Sequence, residues 1–168
     1  RDGLMAGICN GFQALIKLGL VTHGDIVDAD ADYPTLTYNT IARHQSRIVR
    51  TRICSNLSPW LSLMNVGDIV NVPISHGEGR FIATAEWLKR LADNGQIATQ
   101  YVDLDGNPSS DVAFNPNNSD MAIEGITSPD GRVFGKMGHS ERIDCGLYKN
   151  VVGNYDIRMF DSAVHYFK

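Results

Sequence analysis

The chain has 168 residues, 43% of them hydrophobic and 20% charged, with a formal net charge of -4. This is about one domain, with enough apolar material for a sizeable core, and it excludes a disordered chain. The acidic balance gives a nucleic-acid partner no support, and no apolar run comes near the roughly 20 residues that span a bilayer.

The opening residues, Arg1 to Gly3, pass at once into an apolar stretch, with no initiator Met and no signal-peptide pattern. Such a start is expected of a piece cut from a longer polypeptide. Residues 4–8 (LMAGI) predict a short buried strand. In residues 9–18, Phe12, Leu15, Ile16 and Leu18 stand at helical spacing, and Gly19 is a natural C-terminal stop. Cys9 therefore falls at a strand-to-helix turn. Residues 25–40 read as irregular and acidic.

Strands are predicted over 46–53 and 69–75, the second at a sheet edge because of Pro73. Residues 83–93 predict an amphipathic helix with Ala85, Leu88 and Leu91 on one face, closed by Asn94 and Gly95. A strand over 96–102 leads through the turn at 105–107 into a polar loop, 108–120. Residues 121–126 and 132–138 flank Asp130-Gly131, a hairpin signal, and 158–167 predict a final helix. Interspersed helices and strands favour an α/β fold.

The three cysteines, Cys9, Cys54 and Cys145, are far apart and form no disulfide framework or C-x-x-C pair. A cytosolic location follows as the default reading. At the turn, Cys9 has the N-terminus of a helix beside it. The N–H groups there favour a thiolate and can hold an oxyanion, and Gly7 and Gly11 let the backbone pass tightly. A nucleophile elbow is one reading of these residues; a small buried cysteine is the other. The segment GKMGHSER (135–142) puts His139 two residues before Glu141. At a strand end the two side chains share a side, so the carboxylate can orient the imidazole toward a thiol. An ordinary exposed pair remains the alternative.

The segments GICNGFQ (7–13) and GHSER (138–142) resemble the nucleophile and His-x-Glu motifs of class I glutamine amidotransferases, in order and in separation. SHGEGRF (75–81) and the run from Asn115 to Val133 narrow the resemblance to the glutaminase domains of phosphoribosylformylglycinamidine synthases, also called formylglycinamide ribonucleotide amidotransferases. The resemblance runs from residue 4 to about residue 167.

It implies a flavodoxin-like α/β sandwich, with residues 1–168 the C-terminal part of a single glutaminase domain. It implies catalytic Cys9, His139 and Glu141, and a glutamine pocket with Asn10, Gln13 and His76. Glutamine is the implied substrate, and a synthase domain or subunit the implied partner and ammonia acceptor in purine biosynthesis. No metal or cofactor is expected in this segment; ATP and Mg belong to the synthase part. Neither a nucleic acid nor a membrane is an expected partner, and the location is cytoplasmic.

Three departures stand out. The family's preceding βα units are absent, with the glycine-rich turn that supplies a second oxyanion N–H, so weak or no activity is expected of the segment alone. Ser140 stands where the family often has proline. The synthase portion is not in this chain. A glutaminase serving another acceptor and a cysteine hydrolase of the same fold remain alternatives, as does a non-catalytic scaffold.

Among the remaining residues, Glu78 and Arg80 lie on the glycine-rich loop that the resemblance sets beside the pocket. The four arginines at 43, 47, 50 and 52 predict a surface or docking face. Trp60 and Trp87 read as core or interface aromatics. Cys54 and Cys145 lack a base in a matching motif and read as structural.

Overall fold

The chain enters through β1 (Met5–Ile8), turns at Cys9 and continues as α1 (Asn10–Lys17). The computed structural model describes residues 2–144 and 146–168. Phe12, Leu15 and Ile16 are the buried side chains of α1, as their spacing requires. Gly19, in the left-handed region at φ 84°, ends that helix and begins the short α2 (Leu20–His23).

The acidic stretch is irregular except for β2 (Thr35–Thr37). Then come β3 (Gln45–Ile53), β4 (Ile69–His76), β5 (Arg80–Ile82), α3 (Ala85–Asp93) and β6 (Ile97–Tyr101). The hairpin β7 (Ile123–Thr127) and β8 (Val133–Lys136) follows, and α4 (Met159–Tyr166) ends the chain. The expected α/β class holds.

The main sheet has the order β1-β8-β7-β6-β3-β4, and β2 pairs with β5 in a separate ribbon. Only β1 and β8 run parallel within the main sheet; its other pairs are antiparallel. Pro73 lies on the sheet's last strand, β4, where a missing N–H costs least. The chain beyond β8 returns to that edge. His139 N–H donates to Pro73 O at 2.8 Å, and Asn71 N–H to Asn154 O at 2.7 Å. The sheet is therefore curled, and the end of β8 is brought to β4.

Three buried apolar clusters form the core: one holds Phe12, Ile16, Val21, Phe81, Leu91 and Ile126, a second Ile53, Leu61, Phe134, Ile157 and Met159, and a third Val49, Val72, Ile74, Tyr101 and Ala122. Each such fully buried side chain contributes about 1.5–3 kcal/mol relative to exposure.

Two expectations need correction. β1 is not buried along its length: Met5 and Ala6 are exposed, because β1 has only β8 as a strand partner among the described residues. In α3, Leu91 is buried and Leu88 half-buried, but Ala85 is exposed in the first turn, next to the cap where Thr84 accepts from Trp87 N–H. The reading of Cys145 lies outside the described residues.

Candidate active site

Cys9 is the residue between β1 and α1, with φ 55° and ψ -108°. A non-glycine residue held there costs on the order of 1–3 kcal/mol, and such strain gathers at functional sites. The turn is fixed from both sides. Cys9 N–H donates to Lys136 O at 2.8 Å, and Gln13 N–H donates to Cys9 O at 3.1 Å. Gly7 is required for close approach: a Cβ there would lie 2.6 Å from the Gly11 carbonyl carbon. Gly11 faces open space instead, so packing does not demand it.

Burial pushes the Cys9 thiol above its ordinary range. The Asn10 backbone N–H and the Arg142 charge oppose this, and the Glu141 charge adds to it. The helix end favours the thiolate, as expected, but desolvation acts more strongly in the other direction. A base that takes the thiol proton would assist attack by this group. The Cys9 Sγ faces Ser75 O at 4.0 Å.

His139 is buried and Glu141 half-exposed. Nδ1 of His139 lies 2.6 Å from Glu141 Oε1. Its Nε2 is buried with no hydrogen-bond partner among the described residues. The pair forms in a turn beyond β8, closed by Arg142 N–H on His139 O at 3.1 Å, rather than on one side of a strand. Glu141 and Arg142 both bear electrostatically on the Cys9 thiol.

An open cleft beside the thiol is lined by Cys9, Asn10, Gln13, Ser75, His76 and Glu78, with Lys17 and Arg43 supplying positive charge. His139 and Glu141 are not part of that lining. Gln13 Nε2 donates to Glu78 O at 2.6 Å, tying α1 to the glycine-rich loop. His76 is buried beneath this loop. Its Nε2 lies 2.9 Å from Asn117 Oδ1, and Asn117 Nδ2 also donates to Gly79 O at 3.0 Å. Burial holds the His76 imidazole below its ordinary value, which favours a neutral ring. Arg80 Nε donates to Asn118 O at 3.2 Å, so this side chain braces the loop.

The arginines of β3 are pinned rather than free. Arg47 donates to Val112 O and Ala113 O, Arg50 to Asp103 O and Leu104 O, and Arg52 to Gly106 O and Gln100 Oε1. They hold the polar loops from a partly exposed strand. Trp60 is partly buried and donates from Nε1 to Arg132 O at 3.2 Å. Trp87 packs against Tyr33 and carries the Arg90 guanidinium 4.7 Å from its ring centre. Cys54 is half-buried beside Gln100 Oε1 with its thiol pushed up by burial, in keeping with a structural role.

Sequence reasoning missed Lys136, Glu124 and Asn117, all buried around this site. Lone opposite charges inside the apolar runs AIEGI and VFGKM were the available signal for the first two. Among the described residues, no group of three His, Cys, Asp or Glu side chains could hold a metal, and no helix is long and apolar enough to cross a membrane.

The chain is similar to known proteins in sequence and in fold. The family model for CobB/CobQ-like glutamine amidotransferase domains matches residues 1–167. Over 150 residues the chain is 36% identical to the phosphoribosylformylglycinamidine synthase subunit PurQ of Thermomicrobium roseum, covering 89% of this chain and 56% of that protein. It is 33% identical to the same subunit of Aquifex aeolicus, with 89% and 59% covered. The chain thus spans somewhat over half the length of these relatives. A chain in the solved structure of PurLQS from Thermotoga maritima superposes with a TM-score of 0.70 at 27% identity, covering 98% of this chain and 62% of that one.

Proposed function

The chain belongs to the CobB/CobQ-like glutamine amidotransferase domain family, and from that premise we propose that it is the glutaminase part of a phosphoribosylformylglycinamidine synthase. The observation that carries the proposal is the strained elbow of Cys9 at the start of α1. A His139 braced by Glu141 supports it.

In the proposed reaction, His139 Nε2 takes the Cys9 thiol proton as Sγ attacks the side-chain amide carbon of glutamine. The Asn10 backbone N–H holds the oxyanion. His139 returns the proton to the departing nitrogen, the C–N bond breaks, and ammonia leaves a glutamyl thioester on Cys9. His139 then deprotonates water. Hydroxide addition expels the thiol and releases glutamate, so glutamine and water become glutamate and ammonia. Glu141 keeps the Nδ1 proton in place and steadies the imidazolium that forms.

Asn10, Gln13 and His76 shape the glutamine pocket on this reading, Asn10 through its backbone and the other two by holding the loop around Glu78. Ammonia passes to a synthase partner that aminates formylglycinamide ribonucleotide in the cytoplasm. ATP and Mg act in that partner, and no residue of this chain is asked to hold them. The relatives named above support this acceptor over others, since both are subunits of the same synthase.

The test is amidation by the natural full-length protein with its synthase. Cys9→Ala should abolish glutamine-driven product and spare product made from added ammonia, because the acceptor site lies elsewhere. Glutamine-driven turnover that survives Cys9→Ala would refute the assignment.

A further inference from the structure

We propose that Lys136, paired with Glu124, is a positioning residue that fixes His139 relative to Cys9. The inference rests on the glutaminase reading and names a device within it.

The Lys136 side chain is 1% exposed and that of Glu124 is fully buried, with Nζ and Oε1 3.3 Å apart. A buried ion pair is a weak source of stability, since apolar residues of the same size often do as well or better. Its contacts suggest another purpose. Lys136 Nζ donates to Gly138 O at 3.0 Å and to Ser140 Oγ at 2.9 Å, the residues on either side of His139. Glu124 Oε1 accepts from Gly138 N–H at 2.5 Å, and its Oε2 accepts from the Thr99 hydroxyl. Both backbone groups of Gly138 are therefore gripped by charge-assisted bonds, the stronger kind.

Gly138 has no room for a side chain, because a Cβ there would lie 2.6 Å from Val72 Cγ2 and 2.9 Å from Glu124 Oε1, so its backbone packs closely on both. The same lysine reaches the nucleophile as well. Its carbonyl is the one that accepts Cys9 N–H at 2.8 Å. One residue of β8 thus holds the elbow by its backbone and the histidine turn by its side chain. Lys136 and Glu124 are both buried and outside the lining of the cleft.

Misplacing a base by about 1 Å costs on the order of 100-fold in rate while substrate binding persists. The test measures glutamine hydrolysis and melting temperature in the natural full-length protein for wild type, Cys9→Ala, Lys136→Met/Glu124→Gln and Ser140→Ala. The double variant removes both charges together, so no lone buried charge remains. Its kcat should fall on the order of 10- to 100-fold, with KM for glutamine held within about twofold.

Ser140→Ala should lower kcat roughly three- to ten-fold, again without moving KM, as expected for one lost charge-assisted bond. If the double variant does not fold, Ser140→Ala decides alone. An unchanged kcat in a folded variant, or a rise in KM without a fall in kcat, overturns the inference. A wild type without hydrolysis, or hydrolysis that survives Cys9→Ala, would instead refute the underlying glutaminase reading.

Discussion

The Nδ1 of His139 sits 2.6 Å from Glu141 Oε1, while Nε2 on the far side of the ring is buried and unpartnered among the described residues. A histidine held by one nitrogen presents the other as a base. Glu141→Ala should therefore lower kcat for glutamine hydrolysis by about 10- to 1,000-fold and leave KM nearly unchanged, since the lost interaction strengthens only as the imidazolium forms. Steady-state kinetics read this directly. An equal loss in KM and none in kcat would make Glu141 a binding group instead.

The Cys9 thiol is pushed up from its ordinary value of 9.0 by burial. An acid raised on folding stays protonated through neutral pH. The stability that this adds is complete below pH 9.0 and is lost as pH rises through the folded value. In a His139→Ala variant, alkylation of Cys9 by iodoacetamide should rise with pH through a midpoint above 9.0. Residue-resolved mass spectrometry gives the profile. A midpoint near neutrality would mean that the helix end alone makes the thiolate.

The parts of this site that lie close together in sequence were legible before the fold was known. Cys9 stands between an apolar strand and a helical repeat, and His139 and Glu141 are two residues apart, so local pattern located them. The shape of their meeting was less legible, because the turn at Arg142, not a strand face, brings the pair together. The short ribbon of β2 and β5 gave no periodic signal in three residues each. The tie from His76 to Asn117 and the pairing of Lys136 with Glu124 arise between distant segments. A sequence shows the charges but not that they share one dry space.

Gly79 lies where a Cβ would run into the His76 ring and come within 2.8 Å of Asn117 Nδ2. Gly79→Ala should therefore push the loop off its buried braces. The expected cost is about 1–3 kcal/mol of stability, as for other overpacked sites. KM for glutamine should rise several-fold with a smaller effect on kcat, because the loop walls the cleft and does not carry the base. Thermal melting and kinetics on the same preparation check both. Wild-type stability and KM would show that the loop accommodates the methyl.

The central claim is that Cys9 is the nucleophile for glutamine, and covalent labelling tests it most directly. The natural full-length protein is treated with a diazoketone analogue of glutamine, and the adduct is mapped by mass spectrometry. The account predicts a single adduct on Cys9, slowed by excess glutamine and absent in Cys9→Ala, with Cys54 and Cys145 largely untouched. The reason is that Cys9, unlike Cys54, stands at a strand-to-helix elbow on the cleft. Labelling first at Cys54, or labelling of Cys9 that glutamine does not slow, would contradict it.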